Sequence, residues 1–141
     1  MTLLEAIECR NSVRSYTDRA IEPEKIAHLQ SLVEQCNSAG DLHIQLITDD
    51  SEAFTGRMAH YGKFSGVRNY FALVGKGARL DRRVGYYGEL LALHAQTLGL
   101  NTCWVGLTYK KNRKRVVVDA GEKIVCVIAV GYGTTSGVPH S

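Results

Sequence analysis

The sequence predicts an α+β fold, in which one β-sheet carries helices on its faces. About four short apolar runs have the length of strands, and roughly four or five segments have helical periodicity, in mixed order along the chain. No linker, repeat or low-complexity tract divides the 141 residues, and this length can sustain one apolar core. We therefore expect residues 1–141 to form a single domain.

Two helices are expected before the first strand. Leu3, Leu4 and Ile7 form an apolar stripe on a short first helix. The second helix begins near Pro23, because proline suits a first helical turn. Its apolar residues recur at three- and four-residue spacing: Ile26, Leu29, Val33 and Cys36. Gly40 lies just past this helix, where a left-handed residue would end it.

The remaining elements follow from apolar runs and capping residues. They are expected in this order: a strand over residues 43–48, a short helix over 52–58, a strand over 70–74, a long helix over 84–98, and strands over 101–105 and 123–130. The long helix has apolar residues on more than one face and ends at Gly99. Such a helix is typically central and buried.

Composition excludes several classes of protein. The hydrophobic fraction of 45% and the net charge of +3 are those of a globular protein, not of a disordered chain. The longest apolar run, residues 124–130, is too short to span a membrane, and Glu5 and Glu8 stand where a secretory signal would be apolar. The basic run 110–115 has no aromatic residue for base stacking. We therefore expect a cytoplasmic protein that binds neither membrane nor nucleic acid.

One segment after the first helix could bind an anion. Arg10, Ser12 and Arg14 occupy alternating positions, so in an extended chain their side chains point the same way. Two guanidinium groups and a hydroxyl on one face would suit a phosphate, which a guanidinium can bind through two hydrogen bonds. The alternative is an ordinary surface loop, in which the arginines pair with Asp18 or Glu22.

Glycine-rich pieces give mixed signals. Neither the Gly-Tyr-Gly sequence at 131–133 nor the Gly-Lys-Gly sequence at 75–77 completes a dinucleotide fingerprint, because the third glycine is missing from each. Gly106 follows a short strand with the only tryptophan, Trp104, and could let the backbone approach a flat ligand. The alternative there is a plain helix–strand turn with a core tryptophan. The five histidines and four cysteines form no metal-binding or nucleophile motif.

Taken in order, these motifs resemble the FMN-dependent nitroreductase family. The resemblance rests on Arg-x-Ser-x-Arg-x-Tyr at 10–16, on Gly-Leu-Asn-Thr-Cys-Trp-Val-Gly at 99–106, and on Ala-Val-Gly-Tyr-Gly at 129–133. It runs over nearly the whole chain and implies a mixed, mostly antiparallel sheet flanked by helices. Family members usually continue beyond the Gly-Tyr-Gly strand, so the resemblance also implies a chain shortened at its C-terminus.

The resemblance also implies roles for particular residues. Arg10 and Ser12 match the positions that hold the FMN phosphate, and Arg14 matches a basic residue near the pyrimidine edge of the flavin ring. The other matching residues are His60 and Lys63, beside the ring and ribityl chain, and Val105 and Gly106, whose backbone approaches flavin N5.

The activity that the resemblance implies is an FMN-dependent oxidoreductase. It would pass hydride from NAD(P)H through flavin N5 to a nitroaromatic or quinone-like acceptor in a ping-pong cycle, with the cofactor supplying the reactive atom. A homodimer is implied as well, because family sites lie between subunits. Two alternatives stay open: a flavin-binding or storage protein without catalysis, and a flavin-free scaffold for protein interaction.

Overall fold

A four-stranded antiparallel sheet forms the centre of the computed structural model, which describes residues 1–50, 65–106 and 115–135. The helices are α1 (Leu3–Cys9), α2 (Pro23–Gly40) and α3 (Leu80–Thr97). The strands are β1 (Gln45–Ile47), β2 (Tyr70–Gly75), β3 (Asn101–Gly106) and β4 (Lys123–Gly131), in the spatial order β1-β2-β4-β3. The predicted α+β fold is confirmed. The helix expected over 52–58 lies outside the described residues.

Local sequence explains where α1 begins and ends. The Thr2 hydroxyl accepts a hydrogen bond from the Glu5 amide at 3.1 Å, and the Glu5 carboxylate accepts one from the Thr2 amide at 3.0 Å. This reciprocal capping box satisfies two amides that a helix start would otherwise leave unpaired. The helix stops at Cys9 because Arg10 turns to an extended conformation. The chain after α1 therefore runs as an extended segment. In the described part of the chain, no helix has both the length and the apolarity needed to cross a bilayer.

The role predicted for Gly40 is wrong. Gly40 is the last residue of α2, and the left-handed conformation belongs to Asp41, with φ of 53°. A Cβ on Gly40 would lie 2.6 Å from the ring of Tyr87 on α3. The glycine is therefore needed for the close packing of α2 against α3, and the helix ends one residue later than expected.

The sheet buries both of its faces. One face places Phe71, Leu73, Ile128 and Val130 against α2 and α3, and α3 contacts three strands and both other helices. This confirms the prediction of a central helix, although it begins four residues earlier than expected. The other face forms a second buried cluster, which includes these residues: Val13, Tyr16, Tyr70, Ala72, Cys103, Val105, Val127 and Ala129.

Both edges of the sheet are accompanied by other chain segments. Beside β3, Ser12 and Thr102 form a parallel bridge, and the Val13 amide donates to the Thr102 carbonyl at 3.1 Å. Beside β1, the side-chain amide of Gln45 donates to the Val117 carbonyl at 2.7 Å and accepts from the Val117 amide at 2.8 Å. The strand β1 is shorter than predicted, because only three of its residues pair with β2.

Candidate functional site

The extended segment after α1 is fixed between the start of β3 and the end of β4. Beyond the bridge between Ser12 and Thr102, the Thr17 amide donates to the Tyr132 carbonyl at 2.8 Å, and the Ser15 carbonyl accepts from the Thr134 amide at 2.9 Å. Backbone hydrogen bonds on both sides hold the alternating side chains in place. The segment is therefore a built part of the fold and not an independent loop.

Arg10 points into the protein rather than into solvent. Its side chain is 18% exposed, its Nη1 donates to the hydroxyl of the fully buried Thr102 at 3.3 Å, and its Nε lies 3.9 Å from Glu89 Oε1 on α3. Glu89 also accepts a hydrogen bond from the Trp104 indole at 3.2 Å. The position of the Arg10 guanidinium is thus set by α3 and β3 together.

The pairing of these arginines with Asp18 or Glu22 is not found. Glu22 contacts Arg19 at 3.6 Å and Lys25 at 3.2 Å instead. Arg14 is exposed and forms no ion pair with another residue that the structure describes. Its charge is available to a ligand.

Two buried groups beside this segment, Cys103 and Tyr16, are influenced by its polar side chains. Burial raises the pKa of the Cys103 thiol, and this effect is opposed by the charge of Arg14, a hydrogen bond from Ser12 and the charge of Arg10. Burial and the neighbouring Cys103 raise the pKa of Tyr16, opposed by the same two arginines. The charges of both arginines therefore act on both buried groups, whereas the hydrogen bond from Ser12 acts on Cys103 alone.

The Tyr16 hydroxyl was not anticipated as part of this site. Tyr16 is 7% exposed, its ring packs beside Gly131, and its buried hydroxyl has no hydrogen-bond partner among the residues that the structure describes. An unpaired buried hydroxyl is costly and rare in folded proteins. The available signal was its position, since Tyr16 continues the alternation of Arg10, Ser12 and Arg14. No sequence pattern indicated that Glu89 or Cys103 would lie beside these residues.

Val105 and Gly106 stand at the opposite end of β3 from Thr102. Val105 is buried in the same cluster as Tyr16 and Cys103, whereas Gly106 is exposed. A Cβ built on Gly106 would meet no atom of the described residues within 4 Å. Four residues of strand separate Thr102 from Gly106, a distance of about 13 Å. The other two candidate residues, His60 and Lys63, lie outside the described residues.

A second polar cluster lies where the chain enters β1, with one donor atom each from His43, Asp119 and Glu122 within 4.8 Å of one another. His43 Nδ1 lies 2.9 Å from Glu122 Oε1. The other ring nitrogen faces the Gln45 amide nitrogen at 3.4 Å, and Val117 fixes the orientation of that amide. Nε2 therefore accepts and Nδ1 carries the proton, an assignment made from the hydrogen-bond network. That tautomer leaves Nδ1 no lone pair for a cation.

Comparison with known proteins identifies the family. The family described as "Putative TM nitroreductase" matches residues 2–141. The solved FMN-dependent nitroreductase of Clostridium difficile R20291 is 16% identical, with a TM-score of 0.74, over 98% of this chain and 91% of that chain. A "putative nitroreductase in complex with FMN" from Desulfovibrio desulfuricans is 20% identical, with a TM-score of 0.75, over 100% of this chain and 91% of that chain.

A third structure, from Parabacteroides distasonis, bears the name "Putative NADH dehydrogenase/NAD(P)H nitroreductase". It is 23% identical, with a TM-score of 0.73, over 99% of this chain and 91% of that chain. No curated protein matches the chain. The solved structures share the fold, while the family match extends over almost every residue and confirms the resemblance that the motifs predicted. The chain belongs to this nitroreductase family, a family of oxidoreductases.

Proposed function

We propose that the protein is an FMN-dependent NAD(P)H oxidoreductase that reduces nitroaromatic or quinone-like acceptors in the cytoplasm. Membership of the nitroreductase family supports this proposal, as do the names of the solved neighbours, one of which is in complex with FMN. The observation that carries it is the pairing that fixes the segment of Arg10, Ser12 and Arg14 beside β3, where Arg10 donates to the Thr102 hydroxyl and Ser12 forms a bridge with Thr102. Their two guanidinium groups and one hydroxyl form a donor set that fits a phosphorylated flavin.

The proposed roles follow from where each side chain lies. Arg10 and Ser12 would hold the phosphate, because Arg10 is oriented by Thr102 and Glu89 and keeps further guanidinium donors. Arg14, which is exposed and has no described ion-pair partner, would stand near the ring. The backbone at Val105 and Gly106 would approach the ring about 13 Å along β3 from Thr102. His60 and Lys63 are proposed to complete the site.

FMN, when bound, supplies an atom that accepts and donates hydride, so no protein nucleophile is needed. Arg14 would hold a positive charge beside the ring and thereby favour its reduced, anionic form over its neutral, oxidised form. Cys103 does not compete as a nucleophile, because burial raises the pKa of its thiol and keeps it protonated.

We also propose that the protein is a homodimer. On α1, Leu4 is 75% and Ile7 59% exposed, and on α3, which packs on α1, Tyr86 is 68% exposed. Large apolar side chains grouped on adjacent helices are typical of interaction surfaces. A second copy of the chain would cover them. Sedimentation should give a dimer at micromolar concentration, and a stable monomer would contradict the proposal.

A flavin titration tests the function. We expect the purified protein to bind FMN with the yellow colour of a flavoprotein and to oxidise NAD(P)H when an acceptor is present. Arg10→Ala should weaken FMN binding, while Arg68→Ala, which removes an exposed arginine paired with Asp49, should not. FMN binding without NAD(P)H oxidation would identify a flavin-binding protein, and no FMN binding would leave only the scaffold alternative.

A further inference from the structure

A basic cavity lies at the junction of β2, α3 and β4, apart from the candidate flavin site. Its volume is about 380 Å³. Among the described residues that line it, four are cations, namely Lys76, Arg79, Arg82 and Lys123, and one is an acid, Asp81. All five are exposed to solvent. Four of the five lie within residues 76–82, and the fold adds Lys123 from the start of β4.

The charge of this cavity is only partly balanced by its surroundings. Its four cations exceed its carboxylate by three, and the net charge of the whole chain is also +3. None of the four forms an ion pair with another described residue, although the charge of Lys76 contributes to lowering the pKa of Glu122 nearby. Like charges held together destabilise a folded state. A bound anion would remove that cost.

The backbone of the loop that carries Lys76 and Arg79 is held in place by hydrogen bonds from Arg83 on α3. The Arg83 guanidinium donates to the carbonyl of Lys76 at 2.6 Å and to that of Ala78 at 2.9 Å. It also donates to the carbonyls of Gly40 and Asp41, at 3.1 and 2.9 Å, and so ties the loop to the end of α2. These hydrogen bonds hold the backbone of the loop in place without a ligand.

The backbone of the same loop adds donors. Arg79 has a left-handed conformation with φ of 56° and precedes the first helical residue, Leu80, with no side chain capping the helix. Amides at an uncapped helix start point outward and favour negative charge. The field of α3 thus has the same sign as the four side chains that surround it.

We propose that this cavity binds the phosphate group of a nucleotide. Phosphate suits the site because guanidinium and ammonium groups form strong, charge-assisted hydrogen bonds with its oxygens. The NAD(P)H of the proposed function is one such nucleotide, and naming it as the ligand rests on that proposed function. Lys123 lies three residues from Cys126, which pairs with Gly106, so the cavity and Gly106 share one end of the sheet.

Titration calorimetry on the flavin-free protein tests the site without any redox activity. The probes are adenosine 2′,5′-bisphosphate, inorganic phosphate and a short single-stranded oligonucleotide. Arg82→Gln on α3 and Lys123→Gln on β4 each remove one exposed cation from the cavity. The control is Arg68→Gln, which removes the same charge from an exposed position outside the cavity. We expect the bisphosphate to bind, and each cavity variant to weaken it at least tenfold, about 1.4 kcal/mol.

The outcomes separate the ligand sources. If inorganic phosphate binds as tightly as the bisphosphate with the same loss in both variants, the cavity takes a free phosphate. If only the nucleotide binds tightly, a nucleotide is the ligand. The proposal is overturned if neither phosphate compound binds, if both cavity variants bind like the control, or if the oligonucleotide alone responds to the variants. Because no flavin is present, a failure of FMN binding leaves this result unaffected.

Discussion

Gly88 lies where α3 packs most closely on the sheet. A Cβ at this position would stand 2.6 Å from Trp104 Cη2 and 3.0 Å from Leu73 Cδ1. Leu73 is fully buried, and the Trp104 indole is held by its hydrogen bond to Glu89, so neither side chain can retreat freely. We therefore expect Gly88→Ala to destabilise the protein, although alanine favours a helix more than glycine does.

Gly85 on the same helix supplies the control. It is exposed, and a Cβ there would meet no atom within 4 Å. Gly85→Ala should raise the free energy of unfolding by up to about 1 kcal/mol, through helix propensity alone. In Gly88→Ala the free energy of unfolding should gain the same amount from helix propensity but lose about 1–3 kcal/mol through overpacking. The difference between the two variants isolates the steric cost, and for a chain of this length it corresponds to roughly 2–12 °C in melting temperature.

Thermal and chemical denaturation of both variants measure this difference. Trp104 is the only tryptophan of the chain, so its fluorescence should change in Gly88→Ala and stay as in the wild type in Gly85→Ala. Equal stability of the two variants with unchanged fluorescence would show that α3 does not approach Trp104 as closely as described.

Three further outcomes are expected. Arg10→Ala should weaken FMN binding by roughly 1.5–3 kcal/mol. Because Arg10 donates to buried Thr102, the same change should lower the free energy of unfolding by about 1 kcal/mol. An unchanged flavin affinity would exclude Arg10 from the phosphate site. Arg14→Gln should lower the midpoint potential of the bound FMN by tens of millivolts when the protein is saturated with flavin, since about 1.4 kcal/mol corresponds to roughly 30 mV for two electrons. Equal potentials in the wild type and the variant would contradict the place of Arg14 beside the ring. Burial acts to raise the pKa of Glu122, but hydrogen bonds from His43 and the Asp119 amide outweigh it and lower the pKa below 4.5. The stabilisation from ionised Glu122 is thus complete above about pH 4.5 and lost as the pH falls through the lowered pKa. Denaturation at a series of pH values should show that the free energy of unfolding falls less steeply with acid in Glu122→Gln than in the wild type. Identical slopes for the two proteins would contradict the stabilisation by ionised Glu122.

Periodicity predicted the parts of the fold that local sequence determines. The apolar runs of β2, β3 and β4 and the spacing of Leu29, Val33 and Cys36 were sufficient, because buried elements must be apolar wherever they pack. The role of Gly40 could not be predicted, since it depends on the ring of Tyr87, which is distant in sequence. The start of α3 was missed because Asp81 to Arg83 are polar, although Asp81 suits a first helical turn.

The candidate site was predictable in its composition but not in its surroundings. Alternation placed Arg10, Ser12 and Arg14 on one side of an extended segment, whereas the partners Glu89 and Thr102 come from α3 and β3, about eighty and ninety residues away in the printed sequence. No local pattern indicates which distant residues meet a side chain. The roles of the seven candidate residues and the single domain over 1–141 stay predictions.

The segment from Arg10 to Tyr16 also meets the start of β3, an outer strand of the sheet, through Ser12 and Val13. An uncovered strand edge is a template on which another chain can add, and this leads to aggregation. At β1 the side chain of Gln45 and the backbone of Val117 hinder such addition, and at β3 the bridge between Ser12 and Thr102 does so at the start of the strand. The residues proposed to hold FMN are thus carried by the segment that shields β3. Substitutions that detach this segment should cost the protein its solubility along with its ligand, and the site is therefore constrained by colloidal stability as well as by chemistry.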